Sequence, residues 1–297
     1  MEQKHAEIRV GYDLDLWRAG NLRLPLSVPL DTCPHWLLCG NSGSGKSYLL
    51  LLLLRNLLRE YGDEVKLWVM DFKHSTDFAF LSGVPRFYTG ADCAAGLEDY
   101  YQEFQNVRDG KLRDDRLRLL VFDEWAGFLV WETQQNKKQA EVYRRYLLEV
   151  LLMGRSIGSR ACGVWVILQR NDAKYLDGRD QFFVTIALGK MNRDFKAMVL
   201  QGDELEQKDI YLPWEGILRM DGRQTRFLKV PKLRDPEQVK GQIRRMLTQA
   251  STAEGGGAPG QAPVSITRCN GTSKPKEFQR ISCPSQNGTT KGTEETP

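Results

Sequence analysis

The sequence predicts an α/β fold: a mostly parallel central sheet with helices on both faces, a C-terminal hairpin and a disordered tail. Strand-length apolar runs alternate with helix-length segments from Ile8 to about Leu247. The string Gly40-Asn41-Ser42-Gly43-Ser44-Gly45-Lys46-Ser47 fits G-x-x-x-x-G-K-[ST] and lies between such a run and a helix. Beyond Gln249 the chain turns to Gly, Ser, Thr, Pro and Lys with hardly any apolar residues, too few to offset the entropy of ordering.

The elements follow in order. Trp36–Cys39 reads as a buried strand, and the leucine-rich Lys46–Tyr61 as the helix after the glycine loop. Lys66–Asp71 is the next strand, Ala94–Val107 the next helix, and Leu117–Asp123 a strand ending in acid. Lys138–Arg155 alternates charged and apolar residues at helical spacing, and Gly163–Leu168 and Phe183–Leu188 are further apolar strands. Arg193–Leu200 is a helix candidate. The Asp221-Gly222 turn signal joins Gly216–Met220 to Gln224–Val230 as a hairpin. Pro236–Leu247 is a last helix, with Asp235 as its N-cap and Pro236 in its first turn. The division expected is a leading segment 1–30, an ATPase domain 31–249 and a disordered tail 250–297.

The glycine loop carries the strongest chemistry. Gly40, Gly43 and Gly45 allow a tight wrap in which successive N–H groups of Asn41, Ser42 and Ser44 and the helix N-terminus face a polyphosphate. Lys46 would reach the β- and γ-phosphates, and the Ser47 hydroxyl would join the Mg²⁺ shell. Leu119-Leu120-Val121-Phe122-Asp123-Glu124 is a buried strand whose end meets that metal. Asp123 would hold Mg²⁺ through water, and Glu124 would polarise the attacking water. A glutamate directly after the aspartate is the pattern of motor-type ATPases of RecA-like P-loop NTPase architecture, in which an extra strand separates the two motifs. Lys66–Asp71 is the candidate for that strand. Gln169, at the end of Gly163–Leu168, would lie beside Asp123 and sense the γ-phosphate; the alternative is a simple strand-end residue. The nearest string to a guanine-reading N-K-x-D motif, Asn136-Lys137-Lys138-Gln139, lacks its acid, so the expected ligands are ATP and Mg²⁺.

The chain has 297 residues with 42 basic and 38 acidic side chains, a net charge of +4 that is compatible with DNA and does not require it. Its six cysteines show no C-x-x-C spacing and no histidine cluster, which fits a reducing cytoplasm and argues against zinc. No signal peptide or spanning run is present, so no membrane insertion of its own is expected; a partner would hold the chain at any membrane where it worked.

These motifs resemble the FtsK/SpoIIIE family of DNA translocases and the related conjugative coupling ATPases. Pro34-His35-Trp36-Leu37-Leu38 looks like that family's approach strand, and Asp71-Phe72-Lys73 matches its aspartate-x-lysine element. Glu103 to Arg108 resembles its glutamate-to-arginine helix, and Asp123-Glu124-Trp125-Ala126 its acidic strand end. Arg160-Ala161-Cys162-Gly163-Val164 leading to Leu168-Gln169-Arg170 is similar to its arginine-x-x-glycine strand. The order holds from about Val10 to Leu233. The chain departs from the pattern at Leu168, Asn171 and Thr185, where the family usually has threonine, proline and arginine.

The resemblance implies a homo-hexameric ring that threads double-stranded DNA without strong sequence preference, hydrolysing ATP between subunits in plasmid, phage or conjugative transfer or segregation. A membrane or relaxosome partner is also implied. Lys137, Lys138, Glu141, Arg144 and Arg145 share one helical face opposite Tyr143, Tyr146, Leu147, Val150 and Leu151, and would meet phosphates; a solvated face explains the stripe equally well. Lys174 and Arg179 form a second basic set. Arg155 and Arg160 are candidates for the arginine a neighbour supplies, or structural arginines at a helix end. The alternative function is an ATP-binding coupling or docking protein that recruits a nucleoprotein cargo to a membrane channel.

Overall fold

In a computed structural model of the chain, the described residues are 7–157, 161–169, 175–190, 212–221 and 225–254, with only the backbone given for 251–254. They belong to one unit, Met1–Gly257. The elements are β1 (Glu7–Asp13), α1 (Leu14–Gly20), β2 (Pro25–Pro29), β3 (His35–Gly40), α2 (Lys46–Tyr61), β4 (Val65–Asp71), β5 (Phe87–Thr89) and α3 (Cys93–Arg108). They continue with β6 (Leu117–Asp123), α4 (Trp125–Gln135), α5 (Lys137–Met153), β7 (Cys162–Leu168), β8 (Val184–Leu188), β9 (Glu215–Met220), β10 (Arg226–Lys229) and α6 (Pro236–Glu254).

The strands form one sheet in the order β2-β1-β10-β9-β8-β3-β7-β6-β4-β5. From β8 to β5 all pairs are parallel, while β9, β10, β1 and β2 extend the sheet in antiparallel fashion. The parallel strands are covered on both faces, which is why they read as continuous apolar runs. Along β4, Leu67 and Val69 enter one core with Trp36, Trp165 and the leucines of α2. Trp68 and Met70 enter the other with Phe104, Phe122, Phe128 and Tyr143. Helix α2 buries six consecutive leucines, Leu49 to Leu54, because it lies between the sheet and α6. Trp36 and Trp165, paired across β3 and β7, stack with centroids 4.5 Å apart.

An extra strand does separate the glycine-loop strand from the acidic strand, but it is β7 and not Lys66–Asp71. Strand β4 pairs with the outer side of β6. Residues 7–30 are more than a leading segment. Their two strands complete the sheet, and Ile8, Val10, Val28 and Leu30 are fully buried in its core. Proline bounds β2 at both ends, a composition compatible with a strand because β2 is the sheet edge, where one row of N–H groups has no ladder to join.

The helix expected over 138–155 is preceded by a separate helix, α4. Asn136 divides the two, leaving helical geometry and accepting from the N–H groups of Lys138 and Gln139. The hairpin forms as β9 and β10, and Asp235 caps α6 by accepting from Gln238 N at 2.9 Å. Helix α6 runs on past Leu247 to Glu254. The expected helix 193–200 and the tail from 255 onward lie outside the described residues.

Candidate active site

Strand β3 ends at Gly40 and α2 begins at Lys46, so the glycine loop turns at the C-terminal edge of the parallel strands. Two glycines are required there. At Gly40 (φ +152°) an added Cβ would lie 2.5 Å from the Leu188 carbonyl oxygen, and at Gly45 (φ +103°) 2.5 Å from Trp214 Cδ1. Helix α2 has no side-chain cap and no acid in its first turn, so its leading N–H groups and positive dipole end face the cleft. Lys46 Nζ folds over the loop, donating to the Gly40 carbonyl at 2.6 Å and the Asn41 carbonyl at 3.0 Å. Burial pulls its pKa down, against the opposing pull of Glu124 and Asp123. Asn41 braces the loop from outside, donating to the Lys190 carbonyl at 3.1 Å, and Ser44 is buried.

The parallel register brings the acids to the same edge. Asp71 at the end of β4 is level with Asp123 at the end of β6. Burial, with the negative charges of Glu124 and Asp71, pushes the Asp123 carboxyl up to about 7. Glu124 takes a left-handed backbone (φ +66°), a conformation costing on the order of 1 kcal/mol in a non-glycine residue. Its N–H donates to the Ile167 carbonyl at 3.1 Å, and its own carbonyl accepts from Phe128 N at 3.1 Å. Its side chain is held twice: Oε2 pairs with Lys73 Nζ and accepts from Gln169 Nε2 at 3.1 Å.

Ser42, Gly43, Gly45, Lys46, Ser47, Asp123, Glu124 and Gln169 thus line one cleft of about 550 Å³. Its chemistry suits a polyphosphate: backbone donors, an uncapped helix end and an ammonium converge on it. The Ser47 hydroxyl and Asp123 carboxylate are the hard oxygen donors that Mg²⁺ prefers.

The other sequence candidates scatter. Lys137, Lys138, Glu141 and Arg145 are exposed on α5, whereas Arg144 reaches Asp177, Nη1 to Oδ2 at 3.6 Å, and ties the helix to the segment before β8. Arg155 lies over the Phe183 ring of its own chain, 4.7 Å from the centroid. Arg179 starts a 3-10 turn, and Arg160 and Lys174 lie outside the described residues. Glu103 turns inward as a structural anion, 3.0 Å from Lys66 Nζ and 3.2 Å from the buried Arg118 Nε. Among the cleft residues given no role by the sequence are Lys73, visible only as part of Asp71-Phe72-Lys73, and Trp214.

The FtsK/SpoIIIE family model matches residues 14–146. The Ftsk domain-containing protein YdcQ of Bacillus subtilis (strain 168) is 27% identical over 187 residues, covering 56% of this chain and 36% of YdcQ. The chain therefore spans little more than a third of that curated relative. Among solved structures, the pCW3 conjugation coupling protein TcpA superposes with a TM-score of 0.62 at 18% identity, over 82% of this chain and 71% of TcpA. The cytoplasmic domain of the Thermomonospora curvata type VII secretion ATPase EccC gives 0.59 at 20% identity, over 84% of this chain and 31% of EccC. Residues 14–146 match the FtsK/SpoIIIE family model, and the fold that carries them is the RecA-like P-loop fold.

Proposed function

We propose that this chain is an ATP-dependent double-stranded DNA translocase of the FtsK/SpoIIIE type, working as a homo-hexamer whose sites are completed by neighbours. The observation that carries the ATPase part is the single cleft in which Lys46 and the α2 N-terminus face Asp123 and a doubly held Glu124. Loop N–H groups and Lys46 bind and orient the phosphates. Ser47 and Asp123 would hold Mg²⁺, which supplies charge neutralisation on the phosphate oxygens when bound. The other carboxylate oxygen of Glu124, Oε1, would accept a hydrogen bond from the attacking water and draw its proton as the oxygen approaches phosphorus. Gln169 and Lys73 keep that carboxylate aimed.

The DNA part rests on the family match and on Lys137, Lys138 and Arg145, exposed together on α5. Phosphate contacts of this kind give sequence-independent, salt-sensitive binding. The test is steady-state ATPase activity with and without linear duplex DNA of unrelated sequences, across a salt series and a range of protein concentrations. Stimulation by any duplex, falling with salt and requiring enough protein for assembly, is expected. DNA-independent turnover by a monomer would overturn translocation and favour a nucleotide-switched docking protein.

A further inference from the structure

Two aromatic side chains, Trp214 and Tyr48, line the same cleft as the phosphate loop. Trp214 is 43% exposed, whereas Trp36, Trp68, Trp125 and Trp165 are at most 1% exposed. A tryptophan left this open forgoes the burial that usually fixes its place. It is nonetheless fixed. Its backbone sits in the left-handed region at φ +65°, a strained setting for an aromatic residue. Two hydrogen bonds hold it: Trp214 N donates to the Ser44 carbonyl at 3.0 Å, and its carbonyl accepts from Val230 N at 2.8 Å. One edge of the indole lies against Gly45, so tightly that no side chain fits there. The Tyr48 ring, 6.1 Å from it and tilted by 56°, stands directly after the phosphate-loop Ser47 and accepts from Leu233 N through its hydroxyl. Pro236, the first residue of α6, lines the same cleft.

We propose that Trp214, with Tyr48 beside it, is the platform on which the base of the bound nucleotide stacks. The inference rests on the nucleotide-binding reading above and adds the residue that recognises the non-phosphate part. The cleft is polar at Lys46, Ser47 and Asp123, and aromatic at Trp214 and Tyr48. That combination suits a ligand that joins a polyphosphate to a flat apolar-faced ring. The backbone clamp to Ser44 sets the height of the indole relative to the phosphate loop, so the ring is in place before ligand arrives.

The test is equilibrium binding by calorimetry to the full chain, using Mg²⁺-ATP and inorganic triphosphate in parallel, for wild type, Trp214→Ala and Trp214→Phe. Loss of one base-stacking partner should weaken ATP by about tenfold in Trp214→Ala. Trp214→Phe should stay within about threefold of wild type, and triphosphate should bind all three proteins alike. Unchanged ATP affinity in Trp214→Ala overturns the platform. Equal weakening of ATP and triphosphate also overturns it, since the indole would then only support the phosphate loop. Wild type that takes up neither ligand would defeat the nucleotide reading itself, and the platform with it.

Discussion

Lys73 and Glu124 form an ion pair across the ends of neighbouring strands, Lys73 two residues beyond the end of β4 and Glu124 one beyond β6. The pair lies on the same carboxylate oxygen that Gln169 reaches from β7 at 3.1 Å, so strands on both sides of β6 converge on one atom. A carboxylate that must aim at a water gains more from fixed direction than from exposure.

The first prediction follows from that geometry. Lys73→Met should leave ATP affinity within about threefold while lowering kcat by at least about tenfold, because Glu124 loses one of its two anchors. Binding by calorimetry and turnover under saturating ATP separate the two effects. An unchanged kcat would make the ion pair incidental.

The second concerns Glu124 and Lys46 together. Glu124→Gln keeps shape and the Gln169 contact but cannot accept the proton, so hydrolysis should fall roughly a hundredfold or more with ATP still bound. Lys46→Ala should instead lose ATP binding without loss of fold, since among the described residues Lys46 Nζ donates to the loop carbonyls of Gly40 and Asn41. Near-ultraviolet circular dichroism checks the fold. Equal loss of binding in both variants would make Glu124 part of the phosphate site and leave the base elsewhere.

Why was the glycine loop legible in sequence and the lysine not? The loop is contiguous, and its residue types are dictated by local backbone needs at Gly40 and Gly45. The Lys73–Glu124 pair exists only because β4 lies beside β6, and parallel crossovers do not state which side a strand will join. The same ambiguity hid the position of β7 between β3 and β6. The antiparallel pair of β1 and β2 was obscured by the prolines at both ends of β2, which suit an edge strand. Trp214 carries no motif at all. Its role depends on a backbone hydrogen bond to Ser44, far away in the chain. Gln169 was legible as a strand-end amide beside Asp123, but its partner, Glu124, was not.

The third prediction is about stability. Arg118 is 1% exposed and depends on Glu103, Asp114 and two carbonyls, with Lys66 sharing Glu103 from the adjacent strand. Glu103→Ala leaves a buried guanidinium with Asp114 as its remaining carboxylate partner and should destabilise the fold by about 3 kcal/mol. Urea denaturation measures this. A change below about 1 kcal/mol would mean that Asp114 and the carbonyls suffice.

The last prediction uses pH. His35 opens β3, is fully buried, and neither ring nitrogen has a hydrogen-bond partner among the described residues. Its neighbours are the Phe183 ring, 6.3 Å away, and the Arg155 charge. Burial first, and Arg155 second, push its pKa down to about 3 from an ordinary 6.5. Well above pH 6.5 the histidine is neutral whether the chain is folded or not, and it adds no pH dependence to stability. Below pH 6.5 the unfolded chain takes up a proton that the folded chain refuses, so stability falls with pH until about 3. The loss amounts to on the order of a few kcal/mol by the acid end of that window. His35→Phe removes the titration and puts a somewhat larger apolar ring against Phe183. Denaturation midpoints of wild type and variant, compared from pH 7.5 down to 4.5, should therefore diverge, the wild type falling faster. Opposing slopes from carboxylates such as Asp123 are common to both proteins and cancel in the difference. Parallel curves would mean that the buried imidazole finds water or a partner when charged, and that the acid sensitivity of this fold lies in other groups.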